Sequence, residues 1–186
     1  MTSELDGHDG YRTTRGVGVK PLVVIVGPPG AGKTTIGTLL SEHLGSPFRD
    51  TDTDVERTAG TTIADLFVDF GEDYFRALEC AAVDRALVEH DGVLALGGGA
   101  ILSAATRQLL AAHRVLFLDV HVKDAAARIG FNRDRPLLLG NPRAKWLQLM
   151  EKRRPLYTGV ATRTVTTDGR TPDDITKEVI GWLEEP

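Results

Sequence analysis

The most restrictive feature of this chain is a change of character after Pro21. Leu22-Val23-Val24-Ile25-Val26 is a continuous, β-rich apolar run, and it passes directly into Gly27-Pro28-Pro29-Gly30-Ala31-Gly32-Lys33-Thr34 and then Thr35. A short run with no polar alternation suits a strand covered on both faces, as in a parallel sheet. The stretch from Thr34 to Leu44 reads as a helix. Strand, glycine-rich turn and helix in this order fit G-x-x-x-x-G-K-[ST] at every fixed position. The glycines let successive backbone N–H groups turn toward phosphate oxygens, and the helix aims its N-terminal dipole at the same anion. Lys33 adds a point charge for the β and γ phosphates, and the Thr34 hydroxyl is a ligand for Mg²⁺. Gly30, Ala31, Gly32, Lys33, Thr34 and Thr35 are therefore the expected binding residues for a nucleoside triphosphate.

Similar buried runs recur at Val93 to Leu96 and Val115 to Leu118, with a weaker one at Arg163 to Thr166. Between them lie helix-length stretches at 71–90, 103–112, 123–129, 143–153 and 172–185. Strands alternating with helices imply βαβ units and an α/β fold on a parallel sheet. No repeat or interdomain linker divides the chain, so residues 21–186 read as a single domain. Residues 1–20 are polar and glycine-rich and read as a disordered N-terminal extension; deleting 1–18 is expected to leave activity near normal. The 186 residues hold 22 basic and 26 acidic side chains, a formal net charge of −4. A dedicated duplex nucleic-acid binder is usually basic, so that class is disfavoured. One cysteine, Cys80, makes no internal disulfide. No run approaches the roughly 20 apolar residues of a membrane span, and the N-terminus lacks an apolar signal region. A cytoplasmic monomer acting on small molecules, without nucleic acid or membrane, is the expectation.

Three further features point to a second site. Asp50-Thr51-Asp52 comes one strand–helix unit after the phosphate loop. Alternate carboxylates there suit two tasks, one holding Mg²⁺ through water and the other accepting a hydrogen bond from an attacking hydroxyl. The same cluster also reads as a solvated loop, with Asp54 as the cap of the following helix. Gly97-Gly98-Gly99 follows a buried run, at the strand edge where open α/β sheets bind ligands. A plain turn is the other reading. The third feature is arginine: Arg76, then Arg128, Arg133, Arg135, Arg153, Arg154 and Arg170. Several arginines in one pocket bind a carboxylate bidentately. Arg133 and Arg135 stand in a Gly/Pro-punctuated stretch, about 130–142, of a length that suits a mobile lid.

Together these residues resemble the shikimate kinases, within the nucleoside-monophosphate-kinase-like group of P-loop kinases. The resemblance spans about residues 21–185. It is carried by Lys33-Thr34 in the glycine-rich loop, Asp50-Thr51-Asp52, Phe75-Arg76 with Glu79, Gly97-Gly98-Gly99, Arg135-Pro136-Leu137 and Arg153-Arg154-Pro155-Leu156-Tyr157. It implies a three-layer αβα P-loop kinase fold, with a five-stranded parallel sheet of order 2-3-1-4-5 and a mobile lid. It implies ATP- and Mg²⁺-dependent phosphorylation of the 3-hydroxyl of shikimate, on the chorismate route to aromatic amino acids. By the same resemblance Lys33, Asp52 and Arg135 are catalytic, and Asp52, Arg76, Gly97, Gly98, Gly99 and Arg153 bind the acceptor. Arg76 and Arg153 would grip its carboxylate. Arg135 would lie on the ATP phosphates, Arg128, Arg170 and Pro172 would flank adenine, and Thr34 and Asp50 would serve the metal.

Three alternatives stay open at this point. A gluconate-type kinase would need a different acceptor pocket, and a nucleoside-monophosphate kinase would need a base-recognition segment that is not evident. A nucleotide-binding regulatory protein without turnover would bind ATP yet show no acceptor-stimulated ADP release.

Overall fold

The structure is a computed structural model that describes residues 20–129 and 141–185. Five parallel strands form one sheet: β1 (Val23–Val26), β2 (Phe48–Asp50), β3 (Val93–Ala95), β4 (Val115–Asp119) and β5 (Arg163–Thr166). Their spatial order is β2-β3-β1-β4-β5, with helices on both faces. Val23 to Val26, Val93 to Ala95 and Val115 to Leu118 are at most 1% exposed. Their lack of alternation thus has the expected cause, burial on both sides of the pleat. Register places Val24 opposite both Leu94 of β3 and Val115 of β4. The carboxyl ends of β1 and β3 are therefore neighbours, and the loops that leave them meet.

The helices are α1 (Lys33–Leu44), α2 (Thr51–Ala59), α3 (Ile63–Asp69), α4 (Gly71–Glu89), α5 (Ala104–Leu110), α6 (Val122–Ile129), α7 (Pro142–Val160) and α8 (Pro172–Glu184), with a 3₁₀ turn at Ala100–Leu102. Two local readings need correction. Helix α7 runs past residue 153 to Val160 although Pro155 lies inside it. Pro155 has no N–H to donate to Glu151 O, and both residues are exposed, so that carbonyl can be satisfied by solvent. Asp54 is not the cap of α2. Asp50 is, its Oδ1 accepting from Asp52 N at 3.0 Å. Asp54 is instead a buried carboxylate in the first turn, paired with Arg49 at 2.6 Å and Arg57 at 2.5 Å.

The main core lies between the sheet and α1, α4, α7 and α8. A smaller cluster of Val55, Leu66, Phe75 and Ala82 knits α2, α3 and α4 together, with the Phe67 and Phe75 rings 4.7 Å apart. This satellite core fixes the helices that carry Asp52 and Arg76. Among the described residues no helix is long and apolar enough to cross a membrane.

Candidate active site

The phosphate loop is built from its own backbone. Gly30 and Gly32 have φ of 82° and 91°, a left-handed region that side-chain-bearing residues rarely enter. The second of these lets the chain turn straight into α1, which starts at Lys33 with no side-chain cap. Uncapped N–H groups at a helix start are donors for an anion. Lys33 Nζ curls back over the loop, donating to Gly27 O at 2.9 Å and Pro28 O at 3.3 Å. Beside it, the Thr34 hydroxyl donates to Asp50 Oδ2 at 3.1 Å. The two predicted metal residues are thus adjacent, and they offer hard oxygen donors of the kind Mg²⁺ prefers. Among the described residues no group of three His, Cys, Asp or Glu forms a protein cage for a metal. That composition fits an ion held largely by phosphate and water.

The acceptor side is assembled from separate elements around Gly97-Gly98-Gly99. Gly97 and Gly99 leave space that neighbouring side chains occupy. A Cβ on Gly97 would lie 2.3 Å from Asp52 Oδ1 and 2.8 Å from Glu79 Oε1, and one on Gly99 would lie 1.9 Å from Arg76 Nη1. Gly98 sits against the phosphate loop, its Cβ position 3.4 Å from Pro29 Cδ. The close approach predicted for these glycines is therefore made first of all by the protein's own site residues. Thr51, fully buried, accepts a 3.0 Å hydrogen bond from Gly97 N through its hydroxyl and so locks α2 to the loop.

Arg76 stands between two carboxylates. Its Nη1 donates to Glu79 at 2.7 Å and its Nη2 to Glu72 at 2.8 Å. Partial burial works against its charge, but Glu79 and Glu72 outweigh that and hold the guanidinium above its ordinary pKa. Glu79 is 2% exposed, and burial pushes its carboxyl above the usual carboxylate range against the pull of Arg76. The nearby Asp52 charge adds to the rise, while Arg153 opposes it. Arg153 donates through Nη1 to Gly98 O at 3.1 Å. Its neighbour Arg154 points elsewhere, to an ion pair with Asp119 at the end of β4. Of the adjacent arginines, Arg153 is the one on the glycine loop.

One cleft of about 690 Å³ is lined by Pro29 to Ile36, Asp50, Asp52, Gly98, Arg128, Arg170, Pro172 and Ile175. The structure therefore brings the phosphate loop, both aspartates and the three predicted nucleotide-flanking residues together. Arg128 bonds Gly30 O at 3.2 Å and both oxygens of Thr167, tying the phosphate loop to the turn after β5. Arg170 is paired with Glu178 at 2.6 Å. Gly97, Gly99, Arg76 and Arg153 join through the contacts just given. Arg133 and Arg135, with residues 130–140 of the expected lid, lie outside the described residues, as do residues 1–19 of the expected extension. Sequence reasoning gave no role to Thr51, or to Trp146, whose indole N–H donates to Pro29 O at 3.2 Å from α7. No local signal marks either, because their partners are 46 and 117 residues away.

Comparison with known proteins finds one family repeatedly. A family profile described as shikimate kinase matches residues 29–184. The chain is 57% identical to a shikimate kinase of Streptomyces avermitilis over 164 residues, 88% of this chain and 96% of that one. It is 56% identical to one from Streptomyces coelicolor over the same shares. Among solved structures it resembles a shikimate kinase from Acinetobacter baumannii in complex with shikimate. There the TM-score is 0.84 and the identity 36%, covering 89% of this chain and 93% of that one.

Proposed function

The chain belongs to the shikimate kinase family, and from that premise we propose how its residues divide the transfer of a phosphoryl group. The reaction is ATP-dependent phosphorylation of the 3-hydroxyl of shikimate to shikimate 3-phosphate and ADP, a step of chorismate and aromatic amino-acid biosynthesis. The observation that carries our assignment is the meeting of the phosphate loop with the acceptor loop, Gly98 against Pro29 and Asp52 against Gly97.

Phosphoryl transfer passes through a loose transition state, so alignment and charge neutralisation matter more than a strong base. The 3-hydroxyl oxygen forms a bond to the γ-phosphorus, and the bond from that phosphorus to the β,γ-bridging oxygen breaks. Asp52 orients the hydroxyl and accepts its proton. Gly30 to Thr35 wrap the phosphates with backbone N–H groups. Lys33 leaves the loop carbonyls for the β and γ phosphates and faces the charge that develops on the departing ADP, a load that Arg135 would share. Arg128, Arg170 and Pro172 flank the adenine. Arg76 and Arg153 grip the acceptor carboxylate, and the backbone of Gly97 to Gly99 floors the pocket. Thr34 and, through water, Asp50 would hold Mg²⁺, which supplies charge neutralisation on the phosphates when bound. We read the enzyme as a cytoplasmic monomer that needs neither nucleic acid nor membrane.

The test is ADP release from MgATP with shikimate, gluconate and AMP offered separately. Selective stimulation by shikimate, with shikimate 3-phosphate found as product, is expected. Stimulation by gluconate or AMP instead would overturn the acceptor.

A further inference from the structure

Gly98 O accepts two hydrogen bonds, and both donors stand on α7. Arg153 Nη1 reaches it at 3.1 Å and the Tyr157 hydroxyl at 2.6 Å. Four residues apart, the two side chains share one helix face. Their freedom to move is quite different. Tyr157 is fully buried, and its ring stacks on Phe117 of β4 with centroids 5.0 Å apart and planes 16° from parallel. An aromatic ring packed this way has no second position open to it. Burial also pushes the phenol up to about 12, so the hydroxyl stays a neutral donor throughout the neutral range. Arg153 is half-buried, on a long and flexible stem.

A carbonyl oxygen has two lone pairs, and here both are occupied. To reach an acceptor carboxylate, Arg153 has to give up its bond to Gly98 O. A part-buried carbonyl that loses every donor gives up both hydrogen bonds at once, whereas one that keeps a donor does not. We propose that Tyr157 is a positioning residue for the acceptor: its hydroxyl holds Gly98 O permanently, so Arg153 is released to the acceptor carboxylate without stranding that oxygen or turning the glycine loop. The inference rests on the acceptor reading above. It adds a residue that acts through Gly98 and Arg153.

Tyr157→Phe keeps the ring and its stacking and removes only the hydroxyl. Steady-state kinetics are expected to show the shikimate KM rising about five- to tenfold, the effect of one hydrogen bond. The ATP KM and kcat should move by less than about twofold. In an Arg153→Ala background there is no arginine to release, so the same removal should leave kcat/KM for shikimate, read from initial slopes, within about twofold. Phe117→Leu serves as the packing control: it loosens the stack and lowers the melting temperature without a selective change in shikimate KM. An unchanged shikimate KM in Tyr157→Phe overturns the inference. So does a parallel rise in both KM values, or an undiminished effect in the Arg153→Ala background. If the wild-type enzyme ignores shikimate, the acceptor reading itself has failed. If it uses shikimate and Tyr157→Phe is indifferent, only the role of Tyr157 has.

Discussion

The two halves of the active site are made in opposite ways. The phosphate half is one contiguous stretch, Gly27 to Thr35, whose work is done by backbone groups and a single lysine. The acceptor half draws Asp52 from α2, Arg76 and Glu79 from α4, three glycines from the loop after β3, and Arg153 and Tyr157 from α7. It is held by side chains pressed onto glycines and by charges placed near one another in a partly dry setting. A backbone cradle takes its shape mostly from local sequence, with Arg128 and Trp146 bracing it from outside. A side-chain cradle needs the whole fold, and a fault in any one element reaches the others.

Substitutions should expose this contrast directly. Lys33→Ala is expected to have the largest effect, a loss on the order of 10³ in kcat with the fold intact, measured as ADP release beside a melting curve. A residual rate within tenfold of wild type would remove Lys33 from the chemistry. On the acceptor side, Arg76→Ala and Arg153→Ala should each raise the shikimate KM by about 10- to 100-fold, the value of a charge-assisted hydrogen-bond pair. The two should part company in stability. Arg76→Ala leaves the buried Glu79 without its 2.7 Å partner and should cost about 3 kcal/mol in denaturant unfolding. Arg153→Ala removes only one of two donors from Gly98 O and should cost under about 1 kcal/mol. Equal losses would show that the Arg76–Glu79 pair is not what secures this half.

The glycines allow a finer division. Gly99→Ala meets the tip of a flexible side chain, Arg76 Nη1, and Gly99 already has helical φ and ψ. It should raise the shikimate KM about tenfold through a displaced guanidinium, with a loss of stability no larger than that of Arg76→Ala, since it loosens the same pair with Glu79. Gly97→Ala instead pushes on Asp52 and Glu79 and should lower kcat. Matching KM and kcat effects in the two variants would mean that they disturb the loop as a whole.

The smallest effect is a pH dependence at the alkaline end. Tyr157 titrates near 10 when exposed and is pushed up to about 12 by burial. Its folded pKa lies above its unfolded one, so its contribution to stability is complete below pH 10 and disappears as pH rises toward 12. Wild type should therefore lose stability over that window more steeply than Tyr157→Phe, as read by denaturant midpoints at stepped pH. Parallel curves would show that Tyr157 is not held neutral by burial.

How much could be read beforehand tracks the same division. The strands β1, β3 and β4 were visible because burial on both faces leaves uninterrupted apolar runs. Strand β2, Phe-Arg-Asp, was not visible as a run: it is three residues long, half-exposed, and carries two charges. The acidic cluster is legible in sequence, but its cap is not, since it falls at Asp50 and not Asp54. A carboxylate at Asp54 looks like a cap locally, and only the arrival of Arg49 and Arg57 gives it another partner. Of the adjacent arginines, neither is marked by sequence as the one facing Gly98, because helix phase is set by what α7 packs against.

Local sequence thus sufficed for the α/β class, the phosphate loop and its ligand chemistry, since strand burial, glycine turns and helix termini are properties of consecutive residues. The sheet order and the acceptor residues became legible through the resemblance, which carries a fold's long-range contacts within it. What depended on tertiary structure was the pairing across distance. Thr51 on Gly97, Trp146 on Pro29, and Arg153 with Tyr157 on Gly98 all belong to it. Most of these partners are separated by many residues, and whether a polar side chain becomes ligand, lock or solvent-facing charge depends on which group desolvates it.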